Sequence, residues 1–539
     1  MIGLGRLFRT VKDLKAGQVF HRLRARVPAF PIKKGPCPEP RALVHSWIQP
    51  AARKQSLVGQ TDFQILNQTF DLKDIGWQGD RASKLWRYNQ HYFDDLNAEM
   101  SSDRKDWHES IIDNWLRHNP PTAGVAWEPY VASLRTVNFI KWALDGNPLS
   151  NQLLMTLAIQ ARLIRRRPEW HLRGNHLFAN AKALLFAGAF FSGAEAEDWH
   201  RLGLKILKQE IDEQILPDGG HFELSPMYHS IILEDILDLF NLAATYGLTS
   251  VESLVRPKIA PMIEWLECMS HPDGEISFFN DAAFGVAPRK AELFAYADRL
   301  GISVTHVRPA KTFLKQSGFV VLRKKNWHVL MDCAEVGPKY IPGHAHADTL
   351  SIEVSFSGSR VFVNSGITTY ERNDERLEQR GTKMHNTAVL NNTNSSEVWA
   401  SFRVGRKARP FGLSVVAEPT LSASASHDGY RWLEGRPVHT RLLNLSEEEL
   451  VVTDSIQSKV ERFEINFLVH PEVRVEKGNG HLLFYSEGRK TLKMTVEGGL
   501  LNIEKAEWHP EFNKSIRTVR INVLAIGLKV CTRLRRVKD

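Results

Sequence analysis

The spacing of hydrophobic residues changes once along this chain, and the change divides it into two unlike parts. Between about residues 85 and 305, apolar residues recur at intervals of three and four, as in 151–166 and 175–191. Gly, Pro or Asn ends several of these segments. From about residue 315 the interval becomes two, as in 349–356. The first pattern predicts a bundle, solenoid or toroid of helical hairpins, and the second predicts an all-β sandwich.

The two patterns define three regions in the chain of 539 residues. Residues 1–80 hold a basic amphipathic helix and an irregular connection rich in Pro, Lys and Gly, residues 81–312 form the helical domain, and residues 313–539 form the β domain. The apolar residues of the first helix are Leu4, Leu7, Phe8, Val11 and Leu14. We expect this helix to pack on the main body in preference to lying on a membrane surface.

The chain carries a basic excess, with a formal net charge of +9 and clusters at 162–167, 323–325 and 528–539. Such an excess indicates a polyanion, a nucleic acid or a membrane surface as a partner, unless the clusters are solvated surface charge. The sequence contains no Cys/His finger spacing, no aromatic-basic ribonucleoprotein motif and no basic heptad zipper. A polyanionic sugar therefore fits the charge better than a nucleic acid does.

The cysteines and the apolar runs indicate the cellular compartment of the protein. Cys37, Cys268, Cys333 and Cys531 are scattered without a CxxC pair, which argues against a disulfide framework and a thiolate zinc site. The N-terminal stretch lacks an apolar run of about seven residues, and no stretch is long enough to predict a transmembrane span. We therefore expect a cytoplasmic protein, or a periplasmic one if the start is misassigned or export is non-classical.

Three short stretches, far apart in the chain, carry acid–base side chains: 171–180 (HLRGNHLFAN), 225–231 (SPMYHSI) and 343–353 (GHAHADTLSIE). In the first, Asn175 and His176 open an apolar helix, whose N-terminal amides favour negative charge. Taken alone, each motif also has a structural explanation: an Asn can be a helix cap, and a His or Tyr can be a packing residue.

The second and third stretches complete the set. Tyr228 and His229 lie near the start of another helix, and His344 and His346 share one face of an extended segment. A lone HxH is a weak metal signal. Together, however, an amide, a phenol and several imidazoles are what is needed to take a proton from beside a carboxylate and give one to a leaving oxygen.

The three motifs are the dipeptide Asn175-His176 at one helix start, the dipeptide Tyr228-His229 at another, and HAHAD (344–348) at the opening of the β domain. Together they resemble the heparinase II/III family of polysaccharide lyases, alginate-lyase-like members included. The stretch 6–27 also resembles members associated with exopolysaccharide gene clusters. The resemblance, which spans residues 80–400 by motif, implies an incomplete (α/α) toroid followed by an antiparallel β-sandwich. It also implies β-elimination from a uronate-containing acidic polysaccharide or oligosaccharide.

The resemblance assigns a role to each motif residue. Asn175 would bind and neutralise the uronate carboxylate, with His176 assisting as a base or a carboxylate ligand. Tyr228 would protonate the leaving O4, and His344 would be the second acid/base or would orient Tyr228. The C5 proton is a weak acid, so its removal requires donors placed in advance around the developing enolate charge.

Two further residues are predicted to hold the substrate. Arg173 and His229 adjoin the catalytic motifs, and Arg173, with the cluster at 162–167, would hold a polyanionic chain electrostatically.

The resemblance also implies a structural zinc ion, which some members of the family carry. The matching positions are His346, Asn364 and His385. Asn364 stands where the family has an aspartate, and an amide oxygen is a poorer zinc ligand than a carboxylate, which weakens the prediction. Asp348, two residues after His346, is an alternative carboxylate ligand for the ion.

Two other functions remain open at this point. One is a non-catalytic polysaccharide-binding or assembly protein in capsule or exopolysaccharide production. The other is a hydrolase, which requires two carboxyl groups about 5–10 Å apart. The candidate carboxyl groups are Glu223, Asp235, Asp273 and Asp281.

Overall fold

A computed structural model describes residues 4–25, 32, 35–121, 124–303, 309–417 and 419–537. Within these ranges the helices dominate up to Arg299 and the strands dominate from Lys311 onwards. The described α-helices are α1 (Leu4–Val11), α2 (Ala16–Ala25), α3 (Leu72–Ile75), α4 (Lys84–Gln90), α5 (Lys105–His118), α6 (Pro129–Leu144), α7 (Asn151–Arg166), α8 (Gly174–Phe190), α9 (Ala194–Gln214), α10 (Pro226–Tyr246), α11 (Thr249–Cys268), α12 (Lys290–Arg299) and α13 (Asp374–Gln379).

Helix α8 lies at the centre of the helical domain. All of its residues except His176 are buried, and it packs against α6, α9 and α10. A helix that is apolar on every side is a core helix, and its neighbours supply the outer layer. Within the described ranges no helix combines the length and the apolar character that a bilayer span requires.

The start of α10 is fixed by local chemistry. Ser225 precedes the helix with extended backbone, and its side chain accepts a hydrogen bond from the backbone N–H of Tyr228 at 3.2 Å. Pro226 occupies the first turn, where a missing N–H costs nothing. The cap therefore determines where Tyr228 is placed.

The paired strands of the β domain are antiparallel, and they form three main sheets with the orders β3-β4-β5-β6-β7, β11-β12-β13-β14-β21-β18-β17-β16 and β19-β20-β15-β8. The described strands are β1 (Asp62–Ile65), β2 (Gln68–Asp71), β3 (Lys311–Leu314), β4 (Phe319–Lys324), β5 (Trp327–Asp332), β6 (Ile352–Phe356), β7 (Ser359–Phe362), β8 (Ala388–Leu390), β9 (Val398–Trp399), β10 (Arg403–Val404), β11 (Pro410–Val416), β12 (Leu421–His427), β13 (His439–Leu445), β14 (Glu449–Ile456), β15 (Phe463–Leu468), β16 (Arg474–Lys477), β17 (Leu482–Ser486), β18 (Arg489–Glu497), β19 (Gly499–Glu511), β20 (Lys514–Ala525) and β21 (Lys529–Arg536).

Strands β12, β13 and β14 alternate between fully and partly buried residues, as expected of strands with one face on a core. Strand β6 differs, since all five of its residues are buried. Its polar side chains, Glu353 and Ser355, hydrogen-bond the two ring nitrogens of His271, which follows α11, at 2.6 and 2.7 Å. The polar face of β6 is therefore an interface with the helical domain, and the helical and β domains are joined there.

The N-terminal region is more structured than the sequence predicted. It holds two helices, α1 and α2, where one was expected, and the hairpin β1–β2 with helix α3 occupies residues 62–75 of the predicted connection. The four cysteines, all within the described residues, are free.

Candidate active site

The N-terminal ends of α8 and α10 meet the segment 343–348 of the β domain at one cleft. Tyr228, in the first turn of α10, is buried, and its ring lies against the imidazole of His344 with 3.9 Å between the ring centroids. The Tyr228 hydroxyl is 3.0 Å from the hydroxyl of Tyr370, which is also on the β-domain side. Both domains therefore contribute to the site.

Asp281, between α11 and α12, organises the imidazoles around it. It is fully buried, and its carboxylate accepts hydrogen bonds from His344 Nδ1 at 2.8 Å, from His346 Nε2 at 2.8 Å and from Arg376 Nη2 at 2.7 Å. Ser225, the cap of α10, donates to the backbone carbonyl of Asp281 at 2.5 Å, which ties this loop to Tyr228.

The partners of Asp281 fix its charge and the tautomer of His344. Burial raises the pKa of Asp281, but Arg376 and the two imidazoles outweigh it and hold the pKa well below the usual range. The ionised carboxylate accepts the Nδ1 proton of His344. The lone pair of this imidazole is therefore on Nε2, the nitrogen that does not contact Asp281.

Glu223 is the second carboxyl group at this imidazole. Its Oε2 is 3.7 Å from His344 Nε2, its oxygens have no side-chain hydrogen-bond donor among the described residues, and the backbone N–H of Asn175 helps to lower its pKa. Burial, only partly offset by His344 and His176, raises the pKa of Glu223. The first turn of α8 lies against it: Gly174 has φ +54°, and a Cβ there would come 2.7 Å from Glu223 Oε1. Glycine is therefore needed where α8 meets the site.

Asn175 and His176 lie at the start of α8, as the sequence predicted. Asn175 is 8% exposed, so only a small part of it faces the cleft. His176 is the partly exposed residue of this turn. Its ring centroid is 4.3 Å from that of Tyr130, and its Nδ1 is 3.3 Å from Glu169 Oε1. The structure thus places Asn175, His176, Tyr228 and His344 around the same cleft.

The prediction that His229 binds substrate is wrong. Tyr228 and His229 are successive helical residues and so point about 100° apart, and it is Tyr228 that lies against His344. His229 is fully buried, with Nε2 2.9 Å from the carbonyl of Met262 and its ring stacked on Trp265. Burial lowers the pKa of His229 to about 3, so it is a neutral core residue.

The predicted polyanion-binding role of Arg173 is not supported either. Its guanidinium is 3.0 Å from Glu213 and 3.5 Å from Glu210, both on α9, so two carboxylates already balance its charge. In the cluster at 162–167, Arg162 pairs with Glu195 and Arg165 with Asp198. These cations are therefore committed to contacts within the protein.

The residues implied for zinc lie together, but they do not fit the ion. His346 Nδ1 is 3.2 Å from His385 Nε2, whereas Asn364 Oδ1 is 3.2 Å from His385 Nδ1, the opposite nitrogen of the same ring. The three donors therefore do not face one point, as a tetrahedral zinc ion requires. Over the described ranges, no three His, Cys, Asp or Glu side chains are grouped as metal ligands. Asp348 instead accepts from the backbone N–H of Asn280 at 3.1 Å.

The carboxyl groups considered for a hydrolase have other partners. Asp235 pairs with Lys182, Asp273 with Arg360, and Asp281 with Arg376. Of the four, Glu223 alone forms no ion pair with a Lys or Arg side chain among the described residues. A hydrolase requires two available carboxyl groups, so the site disfavours this alternative.

Comparison with known proteins identifies the family to which this arrangement belongs. Residues 57–295 match the family model described as heparinase II/III N-terminus, and residues 306–534 match the model described as heparinase II/III-like, C-terminal. The chain belongs to the heparinase II/III family. The two matched regions follow one another with ten residues between them, so together they span most of the chain.

Similar proteins support this membership. The chain is 28% identical over 325 residues to a heparin-sulfate lyase of Bacteroides stercoris, covering 55% of this chain and 48% of the relative. It is 25% identical over 386 residues to a heparin-sulfate lyase of Bacteroides thetaiotaomicron, covering 61% and 54%. The alignments thus span about half the length of these relatives.

A solved structure of heparinase III has the same fold as this chain. It superposes with a TM-score of 0.69 at 18% sequence identity, covering 86% of this chain and 79% of that one. The predicted (α/α) toroid followed by an antiparallel β-sandwich is confirmed.

Proposed function

We propose that this protein is a polysaccharide lyase that cleaves a uronate-containing acidic polysaccharide by β-elimination. The observation that carries the proposal is the assembly of Tyr228, His344 and Asp281 beside the start of α8. The heparin-sulfate lyases among its relatives support the same reaction class.

His344 is suited to remove the C5 proton. Because Asp281 accepts the Nδ1 proton, the Nε2 lone pair is available as a general base. The imidazolium that forms would lie between Asp281 and Glu223, whose carboxyl groups are 2.8 and 3.7 Å from its two nitrogens. Negative charge there stabilises the protonated ring as the proton is transferred.

Tyr228 is suited to protonate the leaving oxygen. Burial, with Tyr370 and Asp281 nearby, holds the pKa of Tyr228 well above its usual range, so the phenol carries its proton at neutral pH. As the C5 electron pair forms the C4–C5 double bond, the C4–O4 bond breaks and O4 takes the phenolic proton. Transfer of the C5 proton from His344 to the phenolate, directly or through water, restores both groups.

The start of α8 is suited to bind the uronate carboxylate. The first-turn amides of a helix and the side-chain amide of Asn175 are donors that favour negative charge. Donors fixed in advance stabilise the enolate that develops as the C5 proton leaves, because they need no reorganisation. His176, on the open side of the same turn, would contact the carboxylate from the cleft.

Two arginines beside the site are already paired with carboxylates, which favours a substrate with few sulfate groups. Arg376 is paired with Asp281, and Arg173 is paired with Glu213. A densely sulfated chain requires many uncommitted cations, since each sulfate adds a charge that the protein must balance. We therefore place the substrate among weakly sulfated or unsulfated uronate polymers.

The ultraviolet absorbance of an unsaturated uronate tests the reaction. Purified protein is mixed with a panel of acidic polysaccharides, including heparan sulfate, hyaluronan and alginate. We expect absorbance to rise on at least one of them, and Tyr228→Phe to reduce the rate by about a hundredfold or more, because it removes the general acid.

Tyr246→Phe is the matched control, because Tyr246 is a buried tyrosine at the far end of the same helix. This variant should keep the rate of the unaltered protein. Binding without any rise in absorbance would contradict the proposal and favour the non-catalytic binding or assembly function.

A further inference from the structure

The two N-terminal helices turn their apolar side chains away from the body of the protein. Phe8, Phe20 and Leu23 are 67%, 61% and 61% exposed. Six of the 18 large hydrophobic side chains that are exposed in the described residues fall between positions 7 and 23. They are Leu7, Phe8, Val11, Val19, Phe20 and Leu23. Such a concentration marks an interaction surface, because single exposed apolar residues are normally scattered.

The polar sides of these helices hold them to the body. On α1, Arg9 donates to the Glu397 carboxylate at 2.9 Å, and Thr10 Oγ1 accepts from Trp399 Nε1 at 3.1 Å. These contacts attach α1 to the β domain. The helix therefore packs on the main body, as expected, and it does so with its polar side inward.

Helix α2 is attached to the helical domain in the same way. Gln18 is buried, and the ring of His21 stacks with Trp170 at 6.0 Å between centroids. Lys15, just before α2, pairs with Glu213. Both helices thus have a polar inner side and an apolar outer side.

The charge of this segment indicates what covers the apolar side. Between residues 4 and 25 the chain has six Lys and Arg residues and one acidic residue, Asp13. Of the six, Arg6, Lys12, Arg22 and Arg24 are exposed. Apolar side chains flanked by basic ones are typical of helices that lie in the plane of an anionic membrane surface, with the apolar side among the acyl chains and the cations at the headgroups.

We propose that the outer face of α1 and α2 docks this protein onto the surface of a membrane that contains anionic lipids. The face is defined by Leu7, Phe8, Val11, Val19, Phe20 and Leu23. The charge complementarity favours a lipid surface over a second copy of this chain, since the chain is itself basic at +9.

The docking face lies beside the rim of the cleft. Lys15 Nζ is 4.0 Å from the ring centroid of Tyr340, and the guanidinium of Arg173, which precedes α8, is 5.6 Å from the same ring. Docking would therefore bring the cleft close to the membrane surface. This inference does not depend on the proposed reaction, because it rests on α1 and α2 alone.

Vesicle flotation with the full chain tests the proposal. The probes are vesicles of phosphatidylcholine alone and vesicles that also contain phosphatidylglycerol. We expect the protein to float with the anionic vesicles and to be released by salt, which screens surface charges beyond about 10 Å at 0.1 M. The triple substitution Phe8→Ser, Phe20→Ser and Leu23→Ser should weaken binding at least about tenfold, because it removes the largest apolar groups of the face.

The matched control removes three exposed apolar side chains of the β domain by Leu500→Ser, Ile526→Ser and Leu528→Ser. This variant should bind anionic vesicles as the unaltered protein does, and both variants should keep its thermal unfolding midpoint. Failure of the unaltered protein to bind, or equal loss in the control, overturns the proposal. Self-association without vesicles that the first triple substitution abolishes would also overturn it, and would assign the face to a second copy.

Discussion

At the scale of single residues, the site depends on which polar groups already have partners. Asp281 accepts from His344, His346 and Arg376, so its charge is fixed before substrate arrives. Glu223 is buried beside the same imidazole without a side-chain hydrogen-bond donor among the described residues. Leaving a buried carboxyl group unpaired costs free energy. This cost is explained if Glu223 stabilises the positive charge of the His344 imidazolium, which exists only during the proposed reaction.

Glu223→Gln tests that role, since it removes the charge and keeps the shape. We expect kcat to fall about tenfold with little change in KM, because a group that acts on the forming imidazolium contributes in the transition state and not in substrate binding. Steady-state kinetics on the substrate found in the absorbance assay measures both constants.

The control for Glu223 is Glu267→Gln, which alters another buried carboxylate, paired with Lys290 at 2.8 Å. It should leave kcat and KM unchanged. An increase in KM with unchanged kcat in Glu223→Gln would show that Glu223 binds substrate, and a lowered unfolding midpoint with normal kinetics would show a purely structural role.

The sequence predicted the residues of the site better than their partners. Asn175, Tyr228 and His344 stand in short local motifs, and helix and strand periodicity placed each motif at an element end. Arg173 was misjudged because its partners, Glu210 and Glu213, lie 37 and 40 residues further along. No local pattern reveals such pairings, and the roles of the motif residues stay predictions until variants are measured.

At the scale of elements, periodicity predicts which side of a helix is apolar but not which side is buried. Helix α8 is buried on every side and α1 is turned apolar side out, although both are rich in apolar residues. Strand β6 shows the same limit, because its polar face is buried against His271. Such outcomes depend on what packs against an element, which the period of its own sequence does not contain.

The attachment of α1 should depend on pH through Glu397. Burial raises the pKa of Glu397, but the hydrogen bonds from Arg9, from the backbone N–H of Arg406 and from Arg6 lower it to about 2. An unfolded glutamate has a pKa of about 4.3. Because the folded value is the lower one, this attachment is fully present above about pH 4.3 and is lost as pH falls towards about 2.

Hydrogen exchange of the α1 amides, corrected for intrinsic rates, measures this attachment. We expect protection at about pH 6 to decline by about pH 3, and Glu397→Gln to show reduced protection at both values. Glu447→Gln, which alters a surface carboxylate paired with Lys325, should behave as the unaltered protein. Equal protection in the two variants would show that the ion pair does not hold α1.

At the scale of the whole molecule, the site exists only where the two domains meet. Tyr228 comes from the helical domain, and His344 and Tyr370 come from the β domain. The change of hydrophobic period predicted both domains, but the interface depends on buried polar contacts such as His271 with Glu353. These contacts join positions 82 residues apart, so the chain pattern alone could not place them.

The same long-range pairing predicts how the protein should discriminate between acidic polysaccharides. With Arg173 and Arg376 each paired to a carboxylate, a sulfate group would find neither of these two cations uncommitted. We expect kcat/KM to be higher for an unsulfated polymer of uronate and N-acetylglucosamine than for heparin. Glu213→Gln should lower the ratio of kcat/KM for the unsulfated polymer to kcat/KM for heparin. It removes the carboxylate that pairs with Arg173 and Lys15, which frees positive charge at the rim of the cleft.

Glu195→Gln is the control for this change, because Glu195 lies on α9 like Glu213 and its loss frees Arg162 of α7. Glu195 and Glu213 are 18 residues apart on α9, which places them about 27 Å apart at 1.5 Å per residue. That separation exceeds the screening length at physiological ionic strength, about 8 Å, so the ratio should stay that of the unaltered protein. If Glu195→Gln narrows the ratio as much as Glu213→Gln, net charge governs selectivity. If neither does, or if heparin is the better substrate of the unaltered protein, the paired cations do not set the preference.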